Sequence, residues 1–164
     1  PPPAGHVRIA FASADPDSWV NITIAEGEDS PAPEDAVIVD LNLDGYPDVV
    51  AAAELSHLIY LQNPGSNARQ AEWPRLILPM TEGRGSYIRV FAGDFDGDGH
   101  VELLVPSRDQ KSLIALRRVG DSVEEVWEIE LGARLSSNLS VLETNDGNII
   151  LGAATENGIL HIWQ

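Results

Sequence analysis

Short runs of apolar residues alternate with turn-forming residues along the whole chain. The runs are rich in Val, Ile and Leu, and clusters of Gly, Asp, Asn, Pro and Ser separate them. No window of helical length keeps the apolar period of about 3.6 residues that an amphipathic helix needs. The pattern is typical of strands joined by turns, and it predicts an all-β protein.

The apolar pattern repeats along the chain. Trp19, Trp73 and Trp127 stand at equal intervals, and Asp40 and Asp94 are separated by the same interval at the start of two acidic segments. Each full unit contains four short apolar runs. Antiparallel units of four strands that repeat every ~40–50 residues are typical of β-propeller blades. The sequence therefore predicts a β-propeller built from four-stranded antiparallel blades.

The repeat divides the chain into two full blades and two partial ones within a single propeller segment, residues 1–164. The expected parts are a tail (1–6), a partial blade of two strands (7–25), two blades (37–78 and 88–131) and a partial blade of three strands (139–164). We expect the acidic segment 26–36 to be a loop.

The predicted strands amount to about three blades, whereas propellers close with about 4–8 blades. The chain is therefore expected to be an incomplete propeller with an apolar face uncovered at each end. A homo-oligomer or the remainder of a larger propeller would complete it.

Two acidic segments carry oxygen-bearing side chains at positions 1, 3, 5 and 9 and a glycine at position 6. The side chains are Asp40, Asn42, Asp44 and Asp48 in the first loop, and Asp94, Asp96, Asp98 and Glu102 in the second loop. At position 7, Tyr46 and His100 would contribute main-chain carbonyls. Because calcium is a hard cation that takes six to eight oxygen ligands, the spacing predicts two Ca²⁺ sites, with Mg²⁺ or another divalent ion as an alternative.

Two other interpretations bear on these loops. Segments rich in Asp-Gly and Asn also occur as plain hairpin turns without a metal. Here the set of oxygen ligands occurs twice in register, and we expect the carboxylates of both loops to lack a compensating basic neighbour. Converging carboxylates repel one another unless a cation neutralises them, which favours cation binding. A third loop around Asp146 keeps only the Asp-Gly turn, and we expect it to be free of metal.

Composition excludes several classes of function. Acidic residues number 26 against 10 basic ones, for a formal net charge of −16, so binding to a nucleic-acid backbone is not expected. No apolar stretch approaches the ~20 residues of a membrane helix. The chain has no cysteine, which excludes disulfides and thiolate chemistry. Its four histidines show no catalytic or metal-ligating spacing, so we predict no catalytic residue.

Two segments carry a family resemblance. Residues 39–50, with the run VDLNLDGYPDVV, and residues 91–105, with the run FAGDFDGDGHVELLV, resemble FG-GAP/VCBS repeats. These repeats form the blades of integrin α-subunit propellers and of many secreted microbial proteins. Residues 59–65 and 73–77 are similar to a bacterial and fungal subgroup that includes propeller domains attached to sugar-processing enzymes. The resemblance implies calcium in both acidic loops, held by the matching side chains, and an extracellular location.

These observations favour a calcium-binding propeller module that binds protein or carbohydrate or serves in assembly, and that is not catalytic by itself. The alternative is the propeller portion of a secreted sugar-processing enzyme, of the lyase or dehydratase type, whose catalytic residues lie elsewhere. The three repeated tryptophans are expected to pack between blades, although aromatic faces also suit sugar rings. Trp163, near an expected edge strand, is the better candidate for an exposed contact.

Overall fold

The computed structural model describes residues 4–53, 57–70, 72–78, 81 and 89–164. These residues include thirteen strands and a 3-10 turn, Gly65–Asn67. The strands are β1 (Ala4–Ala12), β2 (Trp19–Pro31), β3 (Pro33–Val39), β4 (Asp48–Ala53), β5 (Leu58–Leu61), β6 (Arg75–Ile77), β7 (Phe91–Gly93), β8 (Glu102–Pro106), β9 (Ser112–Val119), β10 (Ser122–Glu130), β11 (Ser140–Glu143), β12 (Ile149–Ala154) and β13 (Leu160–Trp163).

The strands form four antiparallel sheets in which each strand pairs with its neighbours in the sequence. The first sheet has the order β1-β2, the second β3-β4-β5-β6, the third β7-β8-β9-β10 and the fourth β11-β12-β13. Sheets of four strands in sequential order are the form of a propeller blade. The predicted all-β fold, an incomplete β-propeller, is confirmed.

Residues 26–36 differ from the prediction. The segment is not a loop, because β2 continues to Pro31 and β3 begins at Pro33. The chain turns between the two strands at Ala32, which has a φ of 38°. Residue 88, where the second full blade was expected to begin, lies outside the described residues.

The core lies between successive sheets. In β4, Val49 packs towards the first sheet and Val50 towards the third, because neighbouring side chains of a strand point to opposite faces. Every residue of β4, β5 and β8 is buried. These strands therefore read as continuous apolar runs rather than as alternating ones, with Asp48 and Glu102 at the first positions of β4 and β8.

Two of the three repeated tryptophans lie between sheets as expected. Trp73 is buried in the core between the first and second sheets, and Trp127 packs against Phe95 between the third and fourth. Trp19 is the exception, because 55% of its surface is exposed. Trp19 lies at the start of β2, and its indole N–H donates to Pro16 O in the preceding exposed turn at 3.1 Å.

The outward faces of the two end sheets have opposite character. On the fourth sheet, Leu142, Leu160 and Ile162 are at least 60% exposed. On the first sheet, Arg8 and Thr23 face outward and are joined by a hydrogen bond of 3.1 Å. The expected apolar face is therefore present on the fourth sheet, whereas the outward face of the first sheet mixes Arg8 and Thr23 with the exposed Trp19. Among the described residues, no helix is long and apolar enough to cross a membrane.

Candidate metal centre

The first acidic loop, which joins β3 to β4, is folded around the carboxylate of Asp40. The backbone N–H of Asp44 donates to Asp40 Oδ1 at 3.0 Å, and that of Gly45 donates to Oδ2 at 2.8 Å. Gly45 has a φ of 88°, a conformation that strains residues with a side chain. The N–H of Tyr46 in turn donates to Asp44 Oδ1 at 2.9 Å. The sequence thus sets a tight turn in which acidic side chains and main-chain amides interlock.

Asp48 anchors the first loop to the inside of its sheet. Its side chain is fully buried and accepts hydrogen bonds from Leu41 N (3.2 Å), Asn63 N (2.8 Å) and the Tyr60 hydroxyl (2.9 Å). Burial raises the pKa of Asp48, although the three hydrogen bonds oppose the shift. Burial next to this carboxylate also raises the pKa of Tyr60, which keeps the hydroxyl protonated as a donor.

The second loop, between β7 and β8, repeats this construction. The N–H groups of Gly97 and Asp98 donate to Asp94 Oδ1 at 2.7 and 3.1 Å, and that of Gly99 donates to Asp94 Oδ2 at 2.9 Å. The N–H of His100 donates to Asp98 Oδ1 at 2.9 Å, and this bond is the main reason why the pKa of Asp98 is lowered.

Glu102 takes the place of Asp48 in the second loop. It is also fully buried, and its Oε2 accepts the N–H of Phe95 at 3.0 Å, just as Asp48 accepts that of Leu41. Its other oxygen, Oε1, faces Arg117 on β9, which lies directly opposite Glu102 in the strand register.

Arg117 contacts the carboxylates of the second loop, and sequence analysis did not predict it there. Its Nη2 lies 3.0 Å from Asp96 Oδ2, 2.9 Å from Asp98 Oδ2 and 2.7 Å from Glu102 Oε1. The hydrogen bonds to Glu102 raise the pKa of Arg117, so the guanidinium stays charged. The expectation that both loops lack a basic neighbour is therefore wrong for the second loop. The pairing of Arg117 with Glu102 depends on the register of the β8–β9 hairpin, and the spacing of residues in the sequence does not reveal that register.

The second loop gathers oxygen ligands of the kind that calcium takes. Oxygens of Asp94, Asp96 and Glu102 lie within 4.8 Å of one another. The guanidinium of Arg117 lies among these carboxylates and partly neutralises their charge. The hard carboxylate oxygens therefore fit calcium or another hard divalent ion.

The first loop is less tightly gathered. Among the described residues, no three carboxylates of the first loop come within 4.8 Å of one another as those of the second loop do. Instead, the Asn42 amide donates to Asp44 Oδ2 at 2.9 Å, and Asp48 points into the sheet. Tyr46 and His100 are exposed side chains, and their carbonyls as ligands remain a prediction.

The third loop has a different role for its aspartate. Asp146 accepts hydrogen bonds from the Thr144 hydroxyl and the Asn148 amide across a tight turn between β11 and β12. The bond from Thr144 is the main cause of the lowered pKa of Asp146. The loop is held by neutral donors rather than by converging carboxylates.

A known family is similar to the part of the chain that contains both acidic loops. Residues 40–105 match the FG-GAP-like repeat family. The match begins at the first acidic loop and ends within β8, so it includes both loops. Together with the four sheets, it indicates a propeller-type binding module. No curated protein and no solved structure matches the chain.

Proposed function

We propose that this chain is a calcium-binding propeller module that binds or assembles with a partner and does not catalyse a reaction by itself. The observation that carries the proposal is the shared construction of the two acidic loops. In each, main-chain amides surround the first aspartate, and a buried carboxylate at position 9 accepts the N–H of position 2. Two loops of different sequence that converge on one geometry favour a common ligand.

The residues that would hold the ions are those at loop positions 1, 3, 5 and 9. They are Asp40, Asn42, Asp44 and Asp48 in one loop and Asp94, Asp96, Asp98 and Glu102 in the other. A bound divalent cation supplies positive charge that neutralises the carboxylates. Since positions 1 and 9 lie on either side of one turn, such an ion ties the end of an outer strand to the start of a buried one.

A thermal unfolding experiment tests the proposal. Calcium that binds only the folded state stabilises it by about 2.7 kcal/mol per site at a hundredfold excess over Kd. We expect Tm to rise when calcium is added to chelator-treated protein, and the double variant Asp40→Asn/Asp94→Asn to lose the rise. Asp146→Asn in the third loop is the matched control and keeps it. An identical Tm in calcium and in chelator, with metal removal verified by elemental analysis, would contradict calcium binding.

The same proposal includes a partner for the fourth sheet. Its outward face presents Leu142, Leu160 and Ile162, whose exposure would be relieved by packing another sheet against it. A second copy of the chain or further blades would provide that sheet. Sedimentation velocity should therefore report association at micromolar concentration, and a well-folded monomer of 17.7 kDa would contradict assembly between copies.

A second candidate function is carbohydrate binding between the third and fourth sheets. A groove of about 320 Å³ there is lined by the rings of Trp127 and Trp163 together with the carboxylates of Asp96 and Glu128. Aromatic faces beside hydrogen-bonding groups suit sugar rings. This groove also keeps open the alternative of a portion of a sugar-processing enzyme. A glycan panel tests it: binding that Trp163→Ala abolishes supports the candidate, and no binding contradicts it.

The location of the protein remains a prediction. The FG-GAP-like match fits an extracellular protein, because such repeats are typical of secreted and cell-surface propellers. Calcium is abundant outside cells, where modules with dissociation constants of about 10⁻⁴–10⁻³ M are filled. Extracellular location and weak calcium sites are thus consistent with each other.

A further inference from the structure

We propose that Arg117 is a built-in counter-ion of the second loop, which holds the loop folded without metal and lowers its affinity for a divalent cation. The inference rests on the proposed function and adds a regulation to it. The two loops then respond differently to calcium, because among the described residues a cationic side chain lies within the carboxylates of the second loop and none lies within those of the first.

The geometry places the guanidinium where a divalent ion would compete for the same oxygens. A single nitrogen, Nη2, lies within 3.0 Å of carboxylate oxygens from Asp96, Asp98 and Glu102, and Nε donates to Glu102 Oε1 at 3.0 Å. Calcium lies at about 2.3–2.6 Å from its oxygen ligands. The ion and the guanidinium cannot occupy that position together, so Arg117 has to move away when calcium binds.

Arg117 is able to move away because of where it lies. Its side chain is 22% exposed, whereas Glu102 is fully buried. Because the guanidinium side chain is partly exposed, it can turn outward and be solvated. Glu102 keeps its hydrogen bond from Phe95 N when the guanidinium leaves. When calcium replaces the guanidinium, the buried carboxylate of Glu102 therefore still has a hydrogen-bond donor and a cation beside it.

Charge counting alone predicts the opposite order of affinity. The second loop carries four carboxylates at its ligand positions, and the first carries three and Asn42. More ligand charge gives tighter calcium binding, so the second loop alone would bind better. The positive charge of Arg117 cancels that excess and blocks three oxygens as well.

The corresponding position in the first loop is uncharged. Val49 pairs with Leu61, and continuing this register by one residue places Gln62 opposite Asp48, as Arg117 stands opposite Glu102. A glutamine cannot replace a divalent ion. The metal-free first loop therefore depends on calcium more than the second loop does.

Calorimetric titration with calcium alone tests the inference in a chain whose first loop is disabled by Asp40→Asn/Asp44→Asn. In that background we expect Arg117→Gln to tighten the remaining site by at least about tenfold, because calcium then no longer has to displace a unit positive charge from the carboxylates. Arg117→Lys, which keeps the charge, should stay near the parent affinity. Arg134→Gln removes an equal charge from an exposed ion pair with Glu156, outside the strands, and is the control.

Thermal unfolding provides a second readout that a merely structural role would not produce. Arg117→Gln should lower Tm in chelator and recover to the parent value in saturating calcium. A loss of equal size in both conditions, or an unchanged second-site affinity, would overturn the inference while leaving calcium binding intact. If the parent chain with both loops intact binds no calcium, the proposed function itself fails, and the inference fails with it.

Discussion

The buried carboxylate of Glu102 offers the sharpest test of how the second loop is held together. Glu102→Gln keeps the shape of the side chain and removes its charge. In the metal-free protein, Oε1 accepts two bonds from Arg117, at 2.7 and 3.0 Å, and Oε2 accepts one from Phe95 N. An amide replaces one of these oxygens by a donor, so a donor must then face a donor.

The expected loss follows from these contacts. Hydrogen bonds to charged groups contribute about 1.5–3 kcal/mol each, and breaking a buried ion pair costs about 3–5 kcal/mol. Arg117 is 22% exposed and keeps Asp96 and Asp98 as partners, which places the loss at the lower end. We expect Glu102→Gln to lower the free energy of unfolding by about 2–3 kcal/mol. For a chain of this size, that loss lowers Tm by about 5–10 °C.

Urea unfolding in excess chelator measures this difference. Urea is preferred to guanidinium chloride because it does not screen the ion pair. The control is Glu143→Gln on β11, an exposed strand carboxylate whose substitution should change stability by less than about 0.5 kcal/mol. A loss below about 1 kcal/mol for Glu102→Gln, or a loss equal to that of the control, would refute the reasoning.

Two further predictions concern the core and the pH dependence of stability. Leu103 is fully buried between the second and third sheets, so Leu103→Ala should lower the free energy of unfolding by about 2–5 kcal/mol. Leu160 is 66% exposed, so Leu160→Ala should lower it little in the same urea assay, and equal losses would contradict the assigned core. The hydrogen bond from the backbone N–H of Lys111 is the main reason why the pKa of Asp109 is lowered. The ionised carboxylate therefore stabilises the fold above its ordinary pKa of 3.8, and this stabilisation is lost as pH falls through the lower pKa of the folded state. Asp109→Asn should therefore be less stable than the parent at neutral pH, and the difference should shrink as pH falls below 3.8; a difference that is constant across pH would exclude this explanation.

The sequence by itself determined the strands and the acidic loops. Apolar runs of strand length, closed by turn residues, exclude long helices and place β4 and β8 directly after Asp-Gly turns. The wrapping of Asp40 and Asp94 by amides of the following turn is also local, since the bonded groups are at most five residues apart. Interactions of such short range follow from residue spacing.

Pairing between distant residues was decided by the tertiary structure alone. Arg117 is close to Glu102 because the β8–β9 hairpin brings the two positions into register, and shifting a strand by one residue would turn the side chain to the other face. Tyr60 reaches Asp48 through the corresponding hairpin of the second sheet. No single loop sequence contains this information.

The character of the two ends also depends on how the sheets stack. Trp19 repeats the spacing of Trp73 and Trp127 in the sequence, yet it is exposed, whereas Trp73 packs towards the first sheet and Trp127 towards the fourth. Equal spacing along the chain therefore did not give these three side chains equivalent neighbours. The residue pattern of a strand indicates that one face of its sheet is apolar, but whether that face is buried depends on the sheet that packs against it.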